Sequence, residues 1–217
     1  CKTGEAQEQG GQAGGMSLCI DRYAADPRLI LSAHVVTDHW LLQGGTTGGG
    51  GALKWLREQT CPELSFAQMS DLAESVPAGS DGVLFLPYMA GERSPIWNPN
   101  ACGVFFGLNY AKTRAHAIRA VMEGVAYALR HNLEVAREAG TQVGTLRAMG
   151  GSANSIVWTQ LKADITGQPI EVPASDTATT LGAAILAGVG AGVYEGFLSA
   201  VAQTVAVRRT HRPNEAL

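Results

Sequence analysis

LRAMGGSANSIVWTQLKADIT, residues 146–166, spells out a strand, a turn and a helix in succession. The short apolar run at 146–149 predicts a strand, Gly150-Gly151-Ser152 predicts the turn, and the residues from about 155 to 166 predict the helix. A further strand is expected at 169–172. This alternation argues for an α/β domain in which a sheet carries helices on both faces.

Moving outward, the small-residue stretch TLGAAILA at 180–187 predicts a helix able to lie close against a neighbouring backbone. Upstream, the longest helix is expected over 113–140, with Thr113 as N-cap and Gly140 just past its end. Ile118, Val121, Met122, Val125, Leu129, Leu133 and Ala136 recur at helical spacing and form its apolar stripe. The run at 83–86 reads as a buried strand, ended by Pro87 and followed by a long irregular loop through Cys102. A helix is expected over 65–74, and the apolar runs at 16–20, 28–36 and 40–43 read as consecutive strands. Gly48-Gly49-Gly50-Gly51 then leads into a helical stretch at 52–58. The first fifteen residues, mostly Gly, Gln and Glu without periodicity, read as a disordered leader, leaving one domain over 16–217.

At 217 residues the chain can bury about 70% of its unfolded surface in one core. A formal charge of -3 is too weak a field to argue for nucleic acid or an anionic membrane as partner. Cys1, Cys19, Cys61 and Cys102 are widely spaced, with no zinc-type pair, and are expected as reduced thiols in a cytoplasmic protein. No run approaches the roughly 20 apolar residues that a membrane crossing needs.

Two segments share one physical design, a glycine-rich bend opening onto a helix: 48–51 ahead of Lys54 and 150–155 ahead of Trp158. Missing side chains let a ligand approach the main chain, and the unpaired N–H groups of a helix start favour phosphate or a polar base edge. Each bend also has a plainer reading, as a hairpin-to-helix linker and as an ordinary strand-to-helix turn.

In order along the chain, LPYMAGERSPIW at 86–97, GVFFGL at 103–108 followed by His116 and AVMEG at 120–124, GGSA at 150–153, WTQLKADI at 158–165 and TLGAA at 180–184 resemble the C-terminal domain of the FGGY carbohydrate kinases. The wording is nearest to the xylulokinase members, and the resemblance runs from about Asp21 to the end. Ala117 departs from the family's second signature, which favours a larger apolar residue there.

The resemblance implies an actin-like ATPase (ribonuclease H-like) fold, with ATP and Mg2+ as cofactors. It implies that Gly50, Lys54, Gly150, Gly151, Ser152, Asn154 and Ser155 face the nucleotide, with Lys54 reading equally as a solvated helix lysine. Many relatives carry an adenine-contacting Asn where this chain has Ser155, with Asn154 one position early. The implied reaction moves the γ-phosphoryl group of ATP to a sugar hydroxyl, with D-xylulose as first acceptor and glycerol, ribulose and gluconate as alternatives. In the family the base is an Asp of an N-terminal, sugar-binding domain, which nothing here matches. That domain is therefore an expected partner, and this polypeptide alone is expected to bind nucleotide without turnover. A homodimer through the surface left by the missing domain, and a non-catalytic interaction module, are further expectations. The family's Gly-Thr phosphate turn should precede Asp21, and residues 16–20 do not show it.

Glu92 and Arg93 have two readings, as substrate contacts or, preferred, as an ion pair that pins the long loop at the domain junction. His116 and Glu123 are expected to pack or hydrogen-bond, and Asp164 and Asp176 read as a helix-face carboxylate and a helix N-cap.

Overall fold

The computed structural model describes residues 2–214. Seven strands form one mixed sheet: β1 (Ala6–Gly10), β2 (Gly14–Ile20), β3 (Ile30–Ala33), β4 (Trp40–Thr46), β7 (Leu146–Met149), β8 (Ile170–Pro173) and β9 (Val207–His211), in the order β3-β4-β2-β1-β7-β8-β9. β1, β2, β4 and β3 pair antiparallel in that order, so β3 lies at the edge beyond β4; β1-β7 and β7-β8 are parallel, and β9 closes the far edge antiparallel to β8. Period-two alternation sends Leu18 and Leu42, opposite each other in register, to the core face with no exposure.

The segment read as a disordered leader is corrected by this topology. Ala6–Gly10 is β1, the strand that joins the antiparallel half of the sheet to the parallel half. Its composition misleads because the buried position between Ala6 and Gly10 is a glutamate, Glu8, and not an apolar residue.

Six helices accompany the sheet: α1 (Gly50–Thr60), α2 (Phe66–Glu74), α3 (Arg114–Glu138), α4 (Ile156–Thr166), α5 (Ala178–Gly190) and α6 (Phe197–Thr204). Every residue of the predicted α3 stripe is buried. Thr113 caps α3, and His116 completes a capping box by accepting from the Thr113 N–H through Nδ1, the hydrogen-bonding role foreseen for it. One apolar cluster joins α3 to the sheet, and a second joins α3 to α1, α2 and α4 through Leu53, Met69, Met122 and Trp158. α4 ends at Gly167, whose φ of 65° is left-handed.

Three further expectations change. β5 (Leu84–Pro87) pairs with β6 (Gly103–Phe106) as a separate ribbon, and it alternates, with Phe85 buried and Leu84 and Leu86 each 45% exposed, so it is not a buried strand. α5 buries none of its residues, so its small side chains are not packed into the core. Thr177, not Asp176, precedes α5, and Asp176 instead pairs with Arg208 at 3.6 Å. Cys19, Cys61 and Cys102 are free thiols, and Cys1 lies outside the described residues. Among the described residues no helix is long and apolar enough to cross a membrane.

Candidate functional site

Strands β1 and β7 run parallel and end together, Gln9 opposite Met149, so the hairpin turn after β1 and the Gly150-Gly151-Ser152 turn after β7 emerge side by side. The N-terminus of α1 abuts the hairpin: the Gly50 N–H donates to the Gly11 carbonyl at 2.7 Å and the Gly51 N–H to the Gln12 carbonyl at 2.9 Å. Between these turns, α2 and Trp158 of α4 opens a cavity of about 620 Å³, a size suited to a small-molecule ligand.

Glycine is required where the turns touch. Gly150 holds φ 85° and ψ -176°, a region essentially closed to other residues, and a Cβ there would lie 2.9 Å from the Gly10 carbonyl carbon. A Cβ on Gly10 would fall 1.6 Å from Ser152 Oγ. Gly151 is different, because a Cβ there meets nothing within 4 Å and would project into open space.

Gly50, Lys54, Gly151, Ser152, Asn154 and Ser155, all singled out in the sequence, line this cavity together. Gly150 does not. It supports the turn from behind and borders a smaller cavity beside Asp176 and Arg208. In the first bend the expectation of unpaired amides fails at Gly50 and Gly51, whose N–H groups are consumed by the hairpin carbonyls. Among the described residues the Gly151 and Ser152 main-chain N–H groups make no hydrogen bond, so the second bend holds open donors at the cavity. Lys54 stands 3.7 Å from Glu58 on the exposed face of α1, a solvated pair. Ser155 caps α4, its Oγ accepting from the Trp158 N–H at 3.1 Å and lying 2.9 Å from Ser70 Oγ of α2. Asn154 is exposed at the cavity lip.

The hairpin itself escaped the sequence reading. Its Gly11 and Gln12 line the cavity. Beneath it, Lys162 Nζ lies 2.6 Å from Glu8 Oε1, 2.7 Å from Ser152 Oγ and 5.2 Å from the Trp158 ring centroid. The Trp158 indole N–H donates to the Met122 carbonyl at 2.9 Å, which fixes the ring as a wall. A lysine between Leu161 and Ala163 was the available signal.

Chemically, the cavity joins an apolar wall, from Leu53, Phe66 and Trp158, to glycine main chain and hydroxyls. That combination suits a flat base and a phosphate tail. No carboxylate lines the cavity, and among the described residues no cluster of three His, Cys, Asp or Glu could hold a metal. The described residues lining this cavity therefore do not fit a Mg2+ site.

The long loop after β5 lies on the opposite side of the hairpin. The expected Glu92–Arg93 ion pair is not formed. Glu92 is buried, and its Oε1 accepts from the main-chain N–H groups of Thr47 at 2.8 Å and Arg93 at 2.7 Å. Burial pushes the Glu92 carboxyl above the usual glutamate range, against the lowering effect of those two N–H groups and the Arg93 charge. Glu123 is likewise structural, held by Arg119 at 2.7 Å, Ser80 Oγ and the Gly79 N–H. Asp164 accepts from Gln160 and from the Asn214 N–H.

Residues 26–191 match the C-terminal domain of the FGGY family of carbohydrate kinases. A gluconokinase of Bacillus licheniformis is 35% identical over 99% of this chain and 44% of its own length. A glycerol kinase of Citrifermentans bemidjiense is 37% identical over 80% of this chain and 35% of its own. The solved xylulose kinase of Lactobacillus acidophilus superposes with a TM-score of 0.90 at 28% identity, covering 99% of this chain and 44% of that one. The chain thus spans less than half the length of the relatives it matches.

Proposed function

Because the chain belongs to the FGGY family of carbohydrate kinases and has their actin-like ATPase (ribonuclease H-like) fold, we propose that it forms the ATP-holding half of a sugar kinase. The observation that carries this reading is the cavity where the β1–β2 hairpin, the start of α1 and the Gly150-Gly151-Ser152 turn converge.

In this reading the adenine side rests against Trp158 and Leu53, and the Gly151 and Ser152 N–H groups donate to oxygens of the phosphate tail. Asn154 and Ser155 meet polar edges at the lip. Glycine turns matter because phosphoryl transfer depends mainly on positioning and charge neutralisation rather than covalent help from the protein. Mg2+ would accompany the nucleotide, held by its phosphates and by groups outside this chain.

The acceptor is an open-chain polyol, and D-xylulose is the first candidate. Support comes from the xylulose kinases among the structural neighbours; gluconate and glycerol are the alternatives because kinases named for them match as well. An N-terminal domain supplies the carboxylate base and the sugar pocket, and the work is done in the cytoplasm. Exposed Leu84, Leu86 and Phe106 on the β5–β6 ribbon give the isolated chain an apolar face for self-association.

Calorimetric titration with ATP, together with a coupled ADP-release assay on D-xylulose, gluconate and glycerol, tests the proposal. The chain should bind ATP and release no acceptor-dependent ADP. Turnover dependent on any of the three acceptors would place a base within this chain and overturn that division of labour.

A further inference from the structure

The second glycine turn is held from outside the cavity. The Ala153 carbonyl, between the cavity-lining residues Ser152 and Asn154, accepts from the guanidinium of Arg209 on β9. Arg209 is itself steered. Its Nε donates to His211 Nε2 at 3.1 Å, and His211, only 8% exposed, continues the chain through Nδ1 to Gln160 Oε1 of α4 at 3.0 Å. Strand alternation places both β9 side chains on one face, Arg209 opposite Val172 and His211 opposite Ile170 in the β8 register.

The directions of these hydrogen bonds are forced. Gln160 Nε2 faces two oxygens, Asp164 Oδ1 and the Arg212 carbonyl, each at 2.8 Å, so Nε2 is the donor end of the amide and Oε1 its acceptor end. His211 must then donate from Nδ1 and keep Nε2 as a lone pair. That lone pair is what Arg209 requires, because a guanidinium has donors and no acceptor. A proton added at Nε2 would set N–H against N–H and cation against cation.

Among the described residues, Arg209 and Asp164 are the charged groups that face the imidazole. Lys162 of α4 is turned to Glu8, Ile170 and Val172 of β8 are apolar, and Glu171 and Arg208, on alternate positions, pair with Arg147 and Asp176. Burial first, and then the Arg209 charge, push the His211 imidazole below its ordinary value of 6.5, against the opposing pull of Asp164.

We infer that Arg209 is a positioning residue for the Gly150-Gly151-Ser152 turn and that neutral His211 keeps it in place, so that nucleotide affinity falls when His211 takes a proton. The inference rests on the nucleotide reading above. Affinity is full while Nε2 is bare, and it drops as pH falls through the His211 titration.

Calorimetry with ADP at about pH 7.5 and about pH 5 tests this on wild type, His211→Gln and Arg209→Gln, with thermal melts at both pH values to confirm folding. Titration of the ADP phosphates is common to all three proteins, so the ratio of the two affinities is what is compared. Wild type should lose at least about fivefold more affinity on acidification than either variant. In parallel, amide NMR of the ligand-free chain should show Gly151 and Ala153 moving with the His211 ring signal in wild type and standing still in Arg209→Gln. Equal ratios in the three folded proteins overturn the inference and leave the nucleotide site standing. Absence of ADP binding at either pH sinks the nucleotide reading, and the ligand-free titration then decides alone: turn amides that follow His211 only when Arg209 is present uphold the coupling, and turn amides indifferent to it overturn it.

Discussion

Lys162 Nζ and Glu8 Oε1 meet at 2.6 Å across 154 residues of sequence, with side-chain exposures of 1% and 3%. The pair ties α4 to β1 directly below the two turns that shape the proposed nucleotide cavity. Ser152 Oγ, 2.7 Å from the same ammonium, brings the second glycine turn into the network. Two charges taken out of water depend heavily on each other, and each becomes a liability once its partner is gone.

Lys162→Ala should therefore lower unfolding stability by about 3–5 kcal/mol by leaving Glu8 buried and uncompensated. The double replacement Glu8→Leu with Lys162→Met should recover most of that loss. Urea denaturation of the single and double variants gives the coupling; equal, additive losses would show that the pair is not the tie described here.

The two neighbouring glycines should behave oppositely. Gly150→Ala forces a side chain into a glycine-only backbone region and against Gly10, and should cost about 1–3 kcal/mol. Gly151→Ala adds a methyl group that meets no protein atom, so stability should stay within about 0.5 kcal/mol. Its effect should appear as ADP affinity lowered about tenfold, or 1.4 kcal/mol. Thermal melts and calorimetry on the same two proteins separate the roles.

Ser155 offers a second separation. Ser155→Ala removes the α4 cap and the contact with Ser70, and should cost about 1 kcal/mol. Ser155→Asp preserves a capping oxygen but brings negative charge to the cavity, so it should fold well and bind ADP more weakly than Ser155→Ala. Tighter ADP binding by the aspartate variant would argue against phosphate near the start of α4.

Glu92 should leave a signature in the pH dependence of stability. Burial raises its carboxyl above the ordinary value of 4.5, so the folded chain holds that proton more tightly than the unfolded chain. Its contribution is full below the unfolded value and is lost as pH rises through the folded one. Wild type and Glu92→Gln should have similar urea midpoints at about pH 4, and wild type should fall behind the variant as pH increases toward about 7. A gap that widens in the other direction would mean that the ionised carboxylate is favoured by its N–H donors.

Much of the fold was legible because its signals are local. The stripe from Ile118 to Ala136 repeats at helical spacing, Ser155 caps a helix visible in the sequence, and Gly150-Gly151 marks a turn. What was not legible depends on distant partners. Glu8 looks like solvated surface until Lys162 is placed against it, so β1 passed for a leader. The N–H groups of Gly50 and Gly51 looked available because the carbonyls that take them belong to Gly11 and Gln12, about forty residues upstream in that same misread segment. Arg93 was assigned to Glu92 as the adjacent acid, whereas the Glu92 carboxylate turns to main-chain N–H groups and leaves the guanidinium above the sheet.

An amide NMR titration of the chain with ADP tests the central claim most directly. Saturable shifts should gather on Gly11, Gln12, Gly151, Ser152 and the Trp158 indole. If millimolar ADP leaves those signals in place, or moves only residues remote from both turns, the cavity is not a nucleotide site.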